Sequence, residues 1–258
     1  MTSMSLAGVW QNEYGSRMSL CSGDGRVWGR YASTTGSTGS YLVLGRDGGG
    51  QAGPAAGVPV ALAIAWQSVA SGPADASWHW VSGLSGQICH SATGEERLIM
   101  NHLLVASCDF PGLSPAGSYL DKLIYHRIAP AEELAPPPAG TGLDHPLNGA
   151  WQGGGLGLSL RVGAGQPGVL SGRIDLAGRV QHLAGFIDTR PPQPGMAGTA
   201  LTLTALDAET GQTLALAGLY HPGAQRLELQ AMSARSTASA DSYMQTALRG
   251  LVLEPAGA

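Results

Sequence analysis

The sequence is poor in charged residues, and this scarcity excludes several kinds of partner. Charged side chains make up 12% of the 258 residues, about half of the usual share. Lys122 is the single lysine, the formal net charge is −4, and no run of basic residues occurs. Nucleic acid is therefore not an expected partner, because binding a phosphate backbone requires clustered positive charge.

Long apolar runs are also missing. The longest, residues 58–66, is far too short to span a bilayer, so no membrane partner is predicted. The first residues lack the basic and apolar regions of a signal peptide. We therefore expect a cytoplasmic protein, or a secreted one if the start shown is a mature N-terminus.

Cysteine is scarce as well, with only Cys21, Cys89 and Cys108. Three thiols without metal-ligand spacing favour reduced cysteines, although the sequence leaves a Cys89–Cys108 bridge open. The histidines show neither H-x-H nor H-E-x-x-H spacing. No metal site and no cofactor are predicted.

Helical periodicity is nearly absent, and short strand-like runs replace it. Apolar or alternating runs recur every ~8–12 residues between Gly, Ser, Asp and Pro, a pattern typical of β-sandwiches and barrels. Eight of these candidate strands lie in the first half of the chain, at 8–14, 17–23, 25–33, 39–46, 58–68, 80–90, 96–107 and 118–129.

The second half repeats the first in the same order. Residues 6–11 (LAGVWQ) return as 147–152 (LNGAWQ), and 28–33 return as 171–176. Fainter echoes relate 85–90 to 217–222 and 117–122 to 241–246. Between the halves, residues 131–145 are rich in Pro, Ala and Gly and form a predicted linker. The pattern predicts tandem domains at 4–130 and 146–255.

Several motifs of the first half resemble the avidin/streptavidin family when they are taken in order. GVWQNEYGS (8–16) resembles that family's first strand, G-x-W-x-N-x-x-G-S, and GRYAS (29–33) resembles its third. AIAWQ (63–67), LSGQ (84–87) and the strand at 95–107 resemble later strands. The resemblance implies an all-β fold with two eight-stranded antiparallel up-and-down barrels, packed as a pseudo-dimer. The second half matches the pattern only faintly.

The resemblance also implies a ligand pocket in the first barrel. In that family an Asn, a Ser and a Tyr hold the ureido oxygen of biotin, and these positions fall here on Asn12, Ser16 and Tyr31. Alternate residues of a strand share a face, which agrees with such a convergence of donors. The complete predicted ligand site comprises Asn12, Ser16, Tyr31, Ser33, Trp66, Ser82, Leu84, His102 and Leu104.

Part of the family's site is altered in this chain. Two aromatic positions of the hydrophobic wall fall on Leu84 and His102, and the wall Trp that a partner subunit supplies falls on Tyr119. The last strand should carry an Asp or Asn that accepts from the ureido N–H, but it offers Tyr125, His126 or Arg127 with an uncertain register. Weakened biotin binding or a different ligand is expected.

The second half lacks every donor of the predicted floor. The Asn and Ser positions correspond to Gly153 and Gly157, and the Tyr position corresponds to Ile174. We therefore expect the second barrel to be structural, supplying the surface that a partner subunit would otherwise give. A homodimer of two-barrel chains is a further prediction.

Two function classes follow. The first is the binding of a small molecule that bears a carbonyl or ureido group, such as biotin. The alternative is a cofactor-free isomerase, cyclase or lyase, in which the floor acts as an oxyanion-type site and His102 or His126 transfers protons.

Overall fold

The protein folds into two closed antiparallel β-barrels joined in one chain, and no α-helix occurs in its described residues. The computed structural model describes residues 6–34, 37–53, 55–70, 72–90, 93–138, 140–238 and 246–257. Within these residues, no helix has the length and apolarity needed to cross a membrane. The predicted fold class is confirmed.

The first barrel follows the chain order without crossovers, and β1 closes it by pairing with β8. Each of the eight predicted strands overlaps an observed one. These strands are β1 (Gly8–Asn12), β2 (Arg17–Gly23), β3 (Arg26–Ser33), β4 (Gly39–Asp47), β5 (Val58–Ala65), β6 (Val81–His90), β7 (Glu96–Ala106) and β8 (Gly117–Ala129).

The second barrel has the same topology, with β9 paired to β16. Short 3-10 helices occur at Ala76–His79 and Pro222–Ala224. The strands are β9 (Gly149–Gly153), β10 (Leu156–Val162), β11 (Gly168–Leu176), β12 (Arg179–Ile187), β13 (Thr199–Leu206), β14 (Thr213–His221), β15 (Arg226–Ala234) and β16 (Thr246–Pro255).

Matching local details support the tandem repeat. The indole N–H of Trp10 donates to the carbonyl of Leu6 at 2.9 Å, and Trp151 donates to Leu147 at the same distance. Gly86 and its counterpart Gly218 have no room for a Cβ, which would lie 1.9 Å from the neighbouring strand's carbonyl oxygen. The echo at 241–246 lies outside the described residues except for Thr246.

The barrels pack through the outer faces of β5 and β6 against β13 and β14. Both β5 and β6 are buried at every residue, whereas β3 and β10 alternate between buried and more exposed positions. The continuous apolar run at 58–66 therefore follows from burial on two faces. Small side chains dominate the contact, including Ala61, Ala63, Ala215 and Ala217.

Several polar contacts join the two barrels, and two of them involve Ser82 and His79. Thr202 donates its hydroxyl to the carbonyl of Ser82 at 3.1 Å. The Nδ1 atom of His79 lies 2.6 Å from the carboxylate of Asp188, and both side chains are almost fully buried. We call this second contact the inter-barrel His–Asp contact. These contacts fix how the two barrels are aligned across the apolar interface.

The segment between the barrels is anchored at both ends. The indole N–H of Trp28 donates to the carbonyl of Leu134 at 2.7 Å on the outside of the first barrel. Near the second barrel, the Leu143 N–H donates to the carbonyl of Val162 at 2.9 Å. The predicted linker thus lies against both domains.

Cys21, Cys89 and Cys108 are all free, so the Cys89–Cys108 bridge left open by the sequence is not present.

Candidate functional site

The loop between β1 and β2 shapes the floor of the first barrel. Asn12 ends β1, and its side-chain oxygen accepts from the backbone N–H groups of Tyr14 at 3.1 Å and Ser16 at 2.9 Å. Gly15 takes a φ of +84°, which favours glycine. Because two N–H groups occupy the Asn12 oxygen, its amide can offer only N–H donors to the interior.

Tyr31 lies on β3 and belongs to the same floor. Met18 on β2 pairs with Trp10 on β1 and with Tyr31 on β3, so the three residues are aligned across neighbouring strands. Burial raises the pKa of the Tyr31 hydroxyl, while polar contacts with Ser16, Tyr125 and Asn12 partly oppose the rise. Ser33, two residues further along β3, is also buried. The structure thus brings Asn12, Ser16 and Tyr31 together.

Tyr125 is a floor residue that the sequence prediction left unassigned. It lies opposite Asn12 in the pairing of β1 with β8, and its side chain is fully buried. This register resolves the uncertainty in the last strand. The alternation of apolar residues along β8 (Leu123, Tyr125) was the available signal, but the sequence did not show which residue faced β1.

The neighbouring residues of β8 do not enter the floor. His126 points to the outside, where its Nδ1 lies 2.9 Å from a carboxylate oxygen of Glu95. Arg127 stacks over the ring of Trp10 at 4.4 Å and pairs with Glu96. The structure therefore separates His126 from the site in which the enzyme alternative would require it.

A chain of hydrogen bonds forms the wall above the floor. The indole N–H of Trp66 donates to the Ser82 hydroxyl at 2.7 Å, and that hydroxyl lies 2.7 Å from Nε2 of His102. Because an indole can only donate, the Ser82 hydrogen is free to bond an unprotonated Nε2 of His102. The ring of Trp66 also meets Tyr31 and Tyr41 edge-on, at centroid distances of 5.7 and 4.9 Å.

The remaining predicted wall residues divide between two clusters. Leu84 is buried in the main core of the first barrel. Leu104 instead packs at the barrel rim with Trp80, Cys108 and Phe110. Tyr119 is 37% exposed and donates its hydroxyl to Pro115, so it is not positioned as an interior wall residue.

His102 is neutral at physiological pH. Desolvation lowers its pKa from 6.5 to about 4, although the Asp121 carboxylate partly opposes this effect. A proton-transfer group works best with a pKa near the operating pH. The imidazole therefore fits a hydrogen-bonding wall residue better than the acid–base catalyst of the enzyme alternative.

This low pKa predicts a specific loss of stability in acid. The unfolded chain takes up a proton on His102 near pH 6.5, whereas the folded chain does so only near pH 4. Stability should therefore fall between pH 6.5 and 4, by up to about 3 kcal/mol from this group. Urea unfolding of His102→Gln across that range should show a shallower decline than the wild type. An equal decline of stability in the wild type and in His102→Gln would contradict the lowered pKa of His102.

At six positions of this site the second barrel has glycine or an aliphatic side chain, whereas Trp66 and Tyr41 correspond to the polar residues Asp207 and Gln181. Strand pairing places Trp151 and Leu158 at the positions of Trp10 and Met18. The β9–β10 turn is shorter than the β1–β2 loop, so Leu156 stands at the position of Ser16. The sequence alignment of Ser16 with Gly157 was wrong by one residue. The interior replacements are Gly153 for Asn12, Leu156 for Ser16, Ile174 for Tyr31, Leu214 for Ser82, Ala231 for His102 and Leu253 for Tyr125.

Residues between β12 and β13 complete the rim of the first barrel. Met196 packs against the Trp80 cluster, and the Ala197 N–H donates to the carbonyl of Ser107 at 2.9 Å. The guanidinium of Arg190 lies 5.2 Å from the ring centroid of Trp78. The second barrel thus contributes atoms to the rim of the first.

The described residues contain no group of three or more His, Cys, Asp or Glu side chains placed to hold a metal ion.

A family model described as the Avidin family matches residues 1–111. No curated protein matches the chain. Among solved structures, one match is titled "Crystal structure of Xenavidin", with 18% identity and a TM-score of 0.39. That match covers 49% of this chain and 100% of the other.

Proposed function

From the premise that this chain is an avidin-like protein, with its family match in residues 1–111, we propose that its first barrel binds a small carbonyl-containing molecule. The observation that carries the proposal is the convergence of buried Asn12, Ser16 and Tyr31 below Trp66. Donors grouped in an apolar cup suit one carbonyl oxygen. Biotin is the leading named candidate.

Biotin should bind more weakly than the family pattern implies. Leu84 and His102 replace aromatic wall residues, and Tyr125 occupies the acceptor position on the last strand. Each lost contact or hydrogen bond costs about 1–3 kcal/mol. A structural role is proposed for the second barrel, because Gly153, Leu156 and Ile174 stand at the positions of Asn12, Ser16 and Tyr31.

Calorimetric titration with biotin tests this proposal. We expect at most one molecule per chain, and Asn12→Ala combined with Tyr31→Phe should abolish measurable binding while leaving the circular dichroism spectrum unchanged. Tyr220→Phe is the matched control, because it removes a buried hydroxyl from the second barrel and should leave affinity unchanged. Two molecules per chain, or full affinity in the double variant, would overturn the proposed site.

Association of two chains into a homodimer stays a prediction. Its support is the exposure of Leu120 and Leu248, which occupy equivalent positions on β8 and β16. Exposed leucines at related positions of the two barrels present an apolar strip on one side of the molecule.

A further inference from the structure

A cavity of about 460 Å³ lies where the outer face of the first barrel meets the second barrel. Arg46, near the end of β4, forms its wall on the first barrel. The opposite walls come from the start of β12 and from the turn after β13, at residues 179–182 and 206–209. Cavities of this volume hold small organic molecules. A ligand in this cavity would touch both barrels, and it would share no residue with the Asn12 floor.

Arg46 reaches the cavity from the face of β4 that packs against the second barrel. Leu42 and Leu44 precede it at alternate positions and lie in one apolar cluster with Phe186 of β12. Alternate residues of a strand share a face, so Arg46 continues this row to the edge of the contact. Its Nε atom is buried and has no hydrogen-bond partner among the described residues. The guanidinium is therefore desolvated without being satisfied.

A second arginine lies beside Arg46. Arg26 is its direct partner in the pairing of β3 with β4, and like charges placed opposite each other destabilise a sheet. The turn before Arg26 lies against the cavity, because a Cβ on Gly25 would be 2.9 Å from the side chain of Leu206. Burial lowers the pKa of the Arg46 guanidinium, and Arg26 lowers it further. In the part of the chain that the structure describes, neither arginine forms an ion pair.

The two carboxylates that line the cavity do not neutralise this arginine pair. Asp207 already forms an ion pair with Arg179. The Asp207 side chain also accepts from the backbone N–H groups of Glu209 at 3.0 Å and Thr210 at 3.3 Å. The Glu209 side chain is exposed on the turn, where water and salt screen its charge. Arg26 and Arg46 thus leave positive charge at the cavity without a fixed counter-charge.

We propose that this inter-barrel cavity binds a small organic phosphate, with its phosphate group on Arg46 and Arg26. A phosphate monoester carries close to two negative charges, which match two neighbouring guanidinium groups, whereas a carboxylate supplies only one. The planar fork of a guanidinium also fits two phosphate oxygens at once. His182 lines the cavity from the second barrel and can contribute a further donor. This site goes beyond the carbonyl-binding floor and does not depend on it.

Three aromatic probes of similar size test the ligand class: phenyl phosphate, benzoate and phenol, which carry close to two, one and no negative charges at mildly alkaline pH. Calorimetric titration of the full chain gives their affinities. We expect phenyl phosphate to bind, benzoate to bind about tenfold more weakly and phenol to show no binding. Inorganic phosphate should also bind more weakly than phenyl phosphate, because it leaves the rest of the cavity empty. Absence of phenyl phosphate binding, or equal affinity for benzoate or for inorganic phosphate, would overturn the proposal.

Substitutions at the cavity locate the binding. Arg46→Gln should weaken phenyl phosphate binding about tenfold or more, and Arg46→Lys should give an intermediate loss because it keeps the charge without the fork. Glu209→Gln should strengthen binding, because it removes a negative charge from the lining. The matched control is Arg17→Gln, which removes the same charge from an exposed position on β2 and should leave affinity unchanged.

The contrast between Arg46→Gln and Arg17→Gln decides between a built site and general attraction to positive charge. Equal losses in the two variants, or full affinity in Arg46→Gln, would overturn the site. Thermal unfolding checks that each variant is folded. Asn12→Ala combined with Tyr31→Phe should bind phenyl phosphate as the wild type does, which separates this proposal from the proposed function. Loss of phenyl phosphate binding in that double variant would place the probe at the floor and overturn the inter-barrel site.

Discussion

Replacing Asp188 with alanine lowers the free energy of unfolding by about 1–3 kcal/mol, because it removes the hydrogen-bonding partner of a buried histidine. The partner His79 has an exposed side-chain fraction of 1%, so water cannot replace the lost carboxylate. Its other ring nitrogen is also buried without a hydrogen bond. The Asp188 side chain further accepts from the Arg190 N–H at 3.0 Å, which orders the rim segment.

Urea unfolding measures this effect. The matched control is Glu228→Ala, which breaks an ion pair with Arg226 whose side chains are 42% and 44% exposed. Exposed pairs contribute about 0–1 kcal/mol, so the control should change stability little. Replacing His79 and Asp188 together with leucine should restore part of the loss, because neither side chain is then left buried without the other. Similar losses in Asp188→Ala and the control would show that the buried pair has no special role.

Placing an arginine at Ala217 should separate the two barrels. Ala217 is fully buried in the interface, where a Cβ placed on the facing Gly83 would lie 3.2 Å from its methyl group. No room exists for a guanidinium, and burying an unpaired charge is strongly unfavourable, so docking should be destabilised by about 4 kcal/mol or more. Each barrel retains its own closed sheet and core cluster.

Scanning calorimetry and small-angle X-ray scattering test the separation. We expect one unfolding transition to become two, together with an increased radius of gyration. Val180→Arg is the matched control, because Val180 is 61% exposed on the same barrel and tolerates a charge. If Ala217→Arg keeps one transition at the wild-type temperature, the small-residue contact is not what holds the barrels together.

The strands and the repeat could be predicted because both leave local marks in the sequence. Alternation and turn residues located every strand of the first barrel, and residues such as Gly86 and Gly218 recur where a neighbouring backbone leaves no space for a side chain. The run at 58–66 predicted a strand correctly. Its double burial could not be deduced, because that depends on contact with the other barrel.

The site was less predictable because it depends on register. The β9–β10 turn is one residue shorter than the β1–β2 loop, which moved the counterpart of Ser16 from Gly157 to Leu156. A shift of one residue reverses which face a side chain occupies. The same ambiguity hid Tyr125 among its neighbours His126 and Arg127, until the pairing of β1 with β8 identified the interior residue.

The anchored segment between the barrels has a consequence for how the two halves can differ. Subunits of a symmetric dimer are identical, so any change that fills one cavity fills both. Covalent connection removes that constraint and also keeps the barrels at a high effective concentration, so their association does not weaken on dilution. One half can therefore lose its polar floor residues and still remain the permanent neighbour of the other.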